Sequence, residues 1–167
     1  MKRVDVWTDG SMLGGIGGVS ACSAILVFYP EKGDKVEKVI TRAFAASSCN
    51  RAELWGVVEV LKVLEEPCKI RFHTDAMGVV KGMDEKLIER LNHQKKGTLP
   101  NADLWKLIDG YINHFGHHCY WVWVKGHSGD AMNTRCDQLA FAAATKAAAD
   151  GNAPRDKGFD AIVEARK

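Results

Sequence analysis

The sequence lacks any apolar run that approaches the roughly 18 residues a membrane-spanning helix requires. Its first residues, MKRVDV, run directly into a strand-like pattern and do not resemble the apolar core of a secretory signal. We therefore expect a cytoplasmic protein that does not contact membranes.

The cysteines are not arranged for pairing. The five cysteines are an odd set without a C-x-x-C motif, and Cys22 and Cys119 lie in apolar, strand-like runs where a thiol behaves as a small hydrophobe. A disulfide framework is therefore not expected, in keeping with a reducing compartment.

The sequence also lacks an excess of charge of one sign, because the formal net charge is only +2. That balance neither requires nor excludes a polyanionic partner.

The hydrophobic pattern changes period along the chain, from strand-like alternation to alternating helical and strand-like segments. This order predicts one α/β domain, residues 1–150, in which helices pack against a mixed sheet. Residues 151–167 are polar and interrupted by Gly and Pro, and we expect a loosely ordered tail there. The predicted strands are 3–9, 21–29, 36–46, 69–74 and 119–124, and the predicted helical segments are 50–65, 76–92, 102–114 and 131–149.

Four acidic residues stand where they could converge. Asp9 follows the first strand, Asp75 follows the fourth, Glu53 lies on the first helix and Asp137 on the last. Each has an ordinary explanation: a turn before Gly, a helix N-cap, a capping box with Asn50, and a solvated helix face. If the first and fourth strands are neighbours, however, the acids meet near one point and would repel one another without cations. Carboxylates are hard oxygen ligands of the kind Mg²⁺ takes, so we predict a metal site.

Four ordered motifs resemble type-1 ribonuclease H of the bacterial stand-alone kind. They are T-D-G-S (8–11), N-R-A-E-L (50–54), H-T-D (73–75) and W-V-K-G-H-S-G with N-x-R-C-D-x-L-A (123–140). The resemblance covers about residues 3–145. It implies a ribonuclease H-like fold, with a five-stranded mixed sheet of three antiparallel strands and then two parallel ones, flanked by helices. It also implies an endonuclease that hydrolyses the RNA strand of RNA–DNA hybrids and leaves 5′-phosphate and 3′-hydroxyl ends.

The resemblance also assigns roles to the candidate site residues. It implies two Mg²⁺ ions with substrate, with Mn²⁺ as an alternative, bound by Asp9, Glu53, Asp75 and Asp137. Asp9 would bridge both ions, Glu53 and Asp75 would bind one of them, and Asp137 would help to bind the other. His127, in the K-G-H-S-G loop, would assist proton movement or product release, for which its near-neutral intrinsic pKa is suited. Its ordinary alternative is a loop histidine that only makes hydrogen bonds.

Substrate contacts are implied at the glycine-rich turn, near the catalytic glutamate and on a basic protrusion. This chain departs from the family pattern in three places: Gly15 lacks the side-chain amide common there, Cys49 replaces a common Asn, and the protrusion is short and weakly basic, with Lys86 and Arg90 where many relatives have tryptophan. The expected contact residues are Gly14, Gly15, Ser48, Asn50, Met77 (through its backbone), Lys86, Arg90, Lys95 and Lys96.

One alternative belongs to another functional class: a non-catalytic module that binds RNA–DNA hybrids on the same fold. The presence of all four acids and of His127 argues against it. A ribonuclease H domain of a reverse transcriptase is a further alternative, and the initiating Met eight residues before Asp9 favours a free-standing protein. We expect that protein to be a monomer.

Overall fold

The computed structural model describes residues 1–84, 99–126 and 129–166. Five strands form one sheet in the order β3-β2-β1-β4-β5. The β1–β2 and β2–β3 pairs are antiparallel, whereas the β1–β4 and β4–β5 pairs are parallel. This confirms the predicted mixed sheet. The strands are β1 (Lys2–Met12), β2 (Ser20–Phe28), β3 (Val36–Phe44), β4 (Cys68–Thr74) and β5 (His118–Trp123). The helices of the described residues are α1 (Cys49–Val63), α2 (Met77–Asp84), α3 (Ala102–Phe115), α4 (Ala131–Asp150) and α5 (Lys157–Glu164).

The parallel pairing of β1 with β4 positions the acidic residues. Trp7 is in register with His73, so Asp9 and Asp75, each two residues further on, emerge at the same edge of the sheet. The metal-site prediction depended on the first and fourth predicted strands being neighbours, and β1 and β4 are neighbours. Asp9 does not end its strand, however, because β1 continues to Met12 and Asp9 pairs with Ser23 of β2.

Helices cover the sheet on two sides. On one side the main core joins β1 and β4 to α1 and α3, and its fully buried side chains include Val6, Phe72, Leu61 and Ile108. On the other side α4 packs against β1, β2 and β3. Its buried residues there are mostly small, among them Ala140 and Ala144, so helix and sheet approach closely. Apolar burial of this kind supplies most of the favourable free energy of folding.

The start of α1 bears on the ordinary alternative for Glu53, a capping box with Asn50. The N-cap is Ser48, whose side chain accepts a hydrogen bond from Arg51 N at 3.4 Å. Asn50 lies inside the helix, and the Glu53 carboxylate accepts from Gly10 N on β1. The alternative capping box is therefore not formed, because Glu53 lies beyond the first turn and its carboxylate contacts β1.

The structure also differs from the loosely ordered tail expected after Gly151. The described residues up to 166 include the helix α5, and its N-cap Asp156 is only 1% exposed. Pro154 O accepts a hydrogen bond from Ala45 N at 2.9 Å, and Phe159 is buried. The segment is ordered because Asp156 forms an ion pair with the buried Arg51, which lies 105 positions away in the sequence. The polar composition of the segment gives no sign of this distant partner.

Among the described residues, the structure contains no helix of the length and hydropathy that would span a membrane. The cytoplasmic location stays a prediction.

Candidate metal centre

Three carboxylates converge at the edge of the sheet. Asp9, Glu53 and Asp75 each offer an oxygen atom, and these atoms all lie within 4.8 Å of one another. Asp9 and Glu53 are 5% and 8% exposed, whereas Asp75 is partly exposed. Bringing three acids this close, with two of them buried, costs free energy unless cations or protons compensate the charge.

The cluster depends on a close approach of β1 and α1 at Gly10. The Gly10 N–H points at both acids, with Asp9 Oδ1 at 2.7 Å and Glu53 Oε1 at 3.0 Å. A Cβ atom at this position would lie 2.8 Å from Glu53 N, a distance at which something must shift. Glycine at position 10 is therefore needed for Glu53 to reach the strand that carries Asp9.

Asp75 is positioned by residues that the sequence analysis did not single out. Asn133 on α4 donates a hydrogen bond from Nδ2 to Asp75 Oδ2 at 3.5 Å. A Cβ atom on Gly126 would lie 2.6 Å from the same oxygen. Gly126 and Asn133 both belong to the motif at 123–140, so that motif could have indicated them as residues near the site.

The electrostatics show how strongly the cluster favours a neutralising partner. Burial, followed by the charges of Asp75 and Asp137, raises the pKa of Asp9 from 3.8 to about 7. Burial, followed by the charges of Asp9 and Asp75, raises the pKa of Glu53 well above its ordinary value. In addition, Glu53 Oε2 is buried and has no hydrogen-bond partner among the described residues.

These observations fit a hard divalent cation. The donors are all carboxylate oxygens, and Mg²⁺ prefers oxygen ligands. A bound cation would satisfy Glu53 Oε2 and would lower the raised pKa values, because it stabilises the ionised carboxylates. Among the described residues, Asp9, Glu53 and Asp75 therefore form a group that could hold a metal ion.

Asp137 lies nearby but outside this group of three. It is partly exposed on α4, one turn after Asn133. Its charge contributes to the raised pKa values of Asp9 and Glu53. Its carboxylate is thus close enough to act on the cluster electrostatically, although it is not among the atoms that lie within 4.8 Å of one another.

Five of the expected substrate-contact residues lie among the described residues. Gly14 and Gly15 are exposed in the turn between β1 and β2, and both have positive φ, 76° and 82°. Ser48 caps α1. Asn50 and Met77 line a cavity of about 340 Å³ together with Glu53 and Trp105.

Five predicted site residues lie outside the described residues. They are His127 of the K-G-H-S-G loop and the four basic residues of the protrusion, Lys86, Arg90, Lys95 and Lys96. Their roles stay predictions.

Comparison with known proteins identifies the family. The RNase H family model matches residues 1–145. Ribonuclease HI of Pasteurella multocida (strain Pm70) is 36% identical over 164 residues, which are 95% of this chain and 97% of that protein. Ribonuclease H of Aeromonas hydrophila is 36% identical over 152 residues, covering 87% of this chain and 92% of that protein. The chain belongs to the ribonuclease H family of enzymes.

Solved structures agree with the fold. LC9-RNase H1, described as a type 1 RNase H with the type 2 active-site motif, superposes with a TM-score of 0.78 at 27% identity, over 87% of this chain and 74% of that one. The foamy viral protease-reverse transcriptase, solved in complex with an RNA/DNA hybrid, superposes with a TM-score of 0.69 at 14% identity, over 86% of this chain and 20% of that one. The second likeness concerns the fold alone.

Proposed function

We propose that this protein is an endonuclease that hydrolyses the RNA strand of RNA–DNA hybrids, using two divalent ions and leaving 5′-phosphate and 3′-hydroxyl ends. The observation that carries the proposal is the cluster of Asp9, Glu53 and Asp75, with oxygen atoms within 4.8 Å of one another, at the sheet edge of a ribonuclease H fold. Mg²⁺ is the expected ion, with Mn²⁺ as an alternative.

The carboxylates of Asp9, Glu53 and Asp75 would hold the metal, and Asp137 would help to bind a second ion. When bound, divalent cations supply Lewis acidity to a phosphodiester and lower the pKa of the attacking water. The protein supplies the arrangement of the ligands: Gly10 N–H orients Asp9 and Glu53, and Asn133 orients Asp75. His127 would move a proton or assist product release as a group that is not a metal ligand.

The protein would recognise the hybrid by its helix shape and by the RNA 2′-hydroxyl groups, with little preference for base sequence. The residues proposed for these contacts are Gly14, Gly15, Ser48, Asn50 and the Met77 backbone. Although the Ser48 hydroxyl accepts the Arg51 N–H, it still has its own proton to donate. Lys86, Arg90, Lys95 and Lys96 would attract the phosphate backbone, and this attraction would weaken as salt rises.

A cleavage assay tests the proposal. End-labelled RNA–DNA hybrid, duplex RNA and duplex DNA are each incubated with the protein in Mg²⁺, in Mn²⁺ or in EDTA. We expect cleavage of the hybrid only, in its RNA strand, and only with a divalent ion. The Asp9→Asn variant is the matched control for a contaminating nuclease. Hybrid that is bound but not cut in Mg²⁺ or Mn²⁺ would contradict the proposal and favour the non-catalytic binding module.

A further inference from the structure

Residues 154–166, here called the C-terminal segment, lie beyond the part of the chain that the family model matches. The segment packs beside the glycine-rich turn that joins β1 to β2. Besides the hydrogen bond from Ala45 N to Pro154 O, the Phe159 ring lies 3.9 Å from where a Cβ of Gly17 would stand. The segment therefore touches a region in which substrate contacts are proposed.

The contact centres on the buried carboxylate of Asp156. Arg51, whose side chain is 1% exposed, donates to it from Nε at 2.7 Å and from Nη2 at 2.8 Å. Ser47 Oγ donates at 2.6 Å and Trp55 Nε1 at 3.1 Å. Although burial raises it, hydrogen bonds from Arg51 and Ser47 lower the pKa of Asp156 below its ordinary value overall. A buried ion pair contributes to stability only when its remaining polar atoms are satisfied, and here they are.

Arg51 extends the same network to α3. Its Nη1 and Nη2 atoms donate to the two Asp103 carboxylate oxygens at 2.9 and 2.7 Å. Since Arg51 follows Asn50 directly and precedes Glu53 by two residues, the network holds the first turn of α1 against both α3 and the C-terminal segment.

Ser47 connects the network to the glycine-rich turn. Gly17 N donates to Ser47 O at 2.9 Å, and Ser47 N donates to Gly18 O at 3.2 Å. Ser47 is fully buried, and its hydroxyl is bonded to Asp156. Hydrogen bonds thus join the turn that carries Gly14 and Gly15 to Ser47, and a further hydrogen bond joins Ser47 to Asp156.

We propose that Asp156 is a positioning residue, and that the C-terminal segment holds the glycine-rich turn and the start of α1 in the arrangement that binds the hybrid. The inference rests on the proposed function. It assigns to the C-terminal segment a part in substrate affinity and leaves the chemical step to the acid cluster, since α1 is held to the sheet independently by Leu54, Val57 and Leu61.

The test compares Asp156→Asn with the control Asp160→Asn. Asp160 lies on the same helix, but its partner is the exposed Arg155. Asp156→Asn keeps the size of the side chain and removes its charge. We expect KM for the hybrid to rise about three- to tenfold, as befits the loss of part of a charge-assisted hydrogen-bond network, while kcat stays within about twofold. Asp160→Asn should change neither.

Amide hydrogen exchange supplies a readout that does not require activity. In Asp156→Asn, exchange at Gly17 and Ser47 should accelerate while exchange in the centre of β2 stays unchanged. If the wild type cleaves no hybrid, the proposed function fails, and this exchange pattern still tests the positioning. A lower Tm with unchanged KM and unchanged exchange at Gly17 and Ser47 would overturn the inference.

A second variant keeps the proposal testable if Asp156→Asn does not fold. Phe159→Ala removes the ring beside Gly17 but leaves the Asp156 network in place. The same rise in KM and the same faster exchange at Gly17 are expected. Wild-type values for both would overturn the proposal.

Discussion

Asp9 is one of the two acids of the cluster in which ionisation is strongly disfavoured. It is buried, and the charges of Asp75 and Asp137 add to the effect of burial on its pKa. Replacement by the neutral, nearly isosteric asparagine should remove this repulsion and also remove a proposed metal ligand. Loss of function and gain of stability are therefore expected from the same substitution.

We predict that Asp9→Asn abolishes hybrid cleavage and raises Tm in EDTA by about 2–8 °C, since relief of 1–2 kcal/mol shifts the Tm of a domain of this size by that amount. Thermal unfolding followed by circular dichroism measures the second effect. Asp34→Asn, at an exposed position between β2 and β3, is the control and should alter neither property. Near-normal cleavage by Asp9→Asn would remove Asp9 from the site.

His127 has a proposed role that differs from that of the acids. A positioned proton-transfer group contributes a factor of roughly 10²–10⁴ to the rate. We expect His127→Ala to slow turnover by about that much, with Mg²⁺ affinity by titration calorimetry close to wild type. A parallel loss of Mg²⁺ affinity would show that the histidine acts as a metal ligand.

The contact between β1 and α1 leaves no room for a side chain at Gly10. The position a Cβ would take lies 2.8 Å from Glu53 N and 3.0 Å from Ala52 Cβ, which are parts of a packed helix. We predict that Gly10→Ala lowers stability by about 1–3 kcal/mol, the usual cost of overpacking. Mg²⁺ affinity should also fall, because Glu53 moves away from Asp9.

The matched control for that substitution is Gly110→Ala. Gly110 lies in α3 with nothing within 4 Å of the added Cβ. This change should raise stability by roughly 0.5–1 kcal/mol, because alanine loses less backbone entropy in a helix. Chemical denaturation of both variants measures the difference. Equal stabilities for the two would mean that β1 and α1 can separate at no cost.

Most helices and strands of the fold could be predicted from the sequence, but some contacts between them could not. Alternation and helical periodicity predicted the strands and the long helices, and their order predicted the mixed sheet. The site followed from one topological condition, that β1 and β4 are neighbours, which places Asp9 and Asp75 at one edge. The Asp156 network could not be found this way, because Arg51 and Asp156 lie 105 positions apart and no local period links them. Ser48 was missed as the N-cap because Asn50, two residues later, is an equally good capping residue.

The acid cluster makes the stability of the whole fold depend on pH. The folded state raises the pKa of Asp9 from 3.8 to about 7, so in this range the folded chain binds a proton more tightly than the unfolded chain. Stability therefore falls as pH rises through that window. Glu53 shifts in the same direction and adds to the fall.

We predict that in EDTA the free energy of unfolding falls more between pH 4 and pH 7 for the wild type than for Asp9→Asn. Saturating Mg²⁺ should raise wild-type stability most at the upper end of this window, because the ion binds the ionised carboxylates of the folded state. Urea unfolding at several pH values, with and without Mg²⁺, measures both effects. Identical pH dependence in the two proteins would contradict the raised pKa of Asp9.

The Asp156 network has a consequence for synthesis on the ribosome. Domains generally fold as units while the N-terminal part of a chain emerges first. Arg51 and the strands around it leave the ribosome about a hundred residues before Asp156, as their separation of 105 positions requires. Until Asp156 emerges, Arg51 has only Asp103 of its two carboxylate partners, and Ser47 lacks the acceptor of its hydroxyl. Residues 154–166 emerge after all five strands of the sheet, so a nascent chain should form its sheet before the Asp156 network can form.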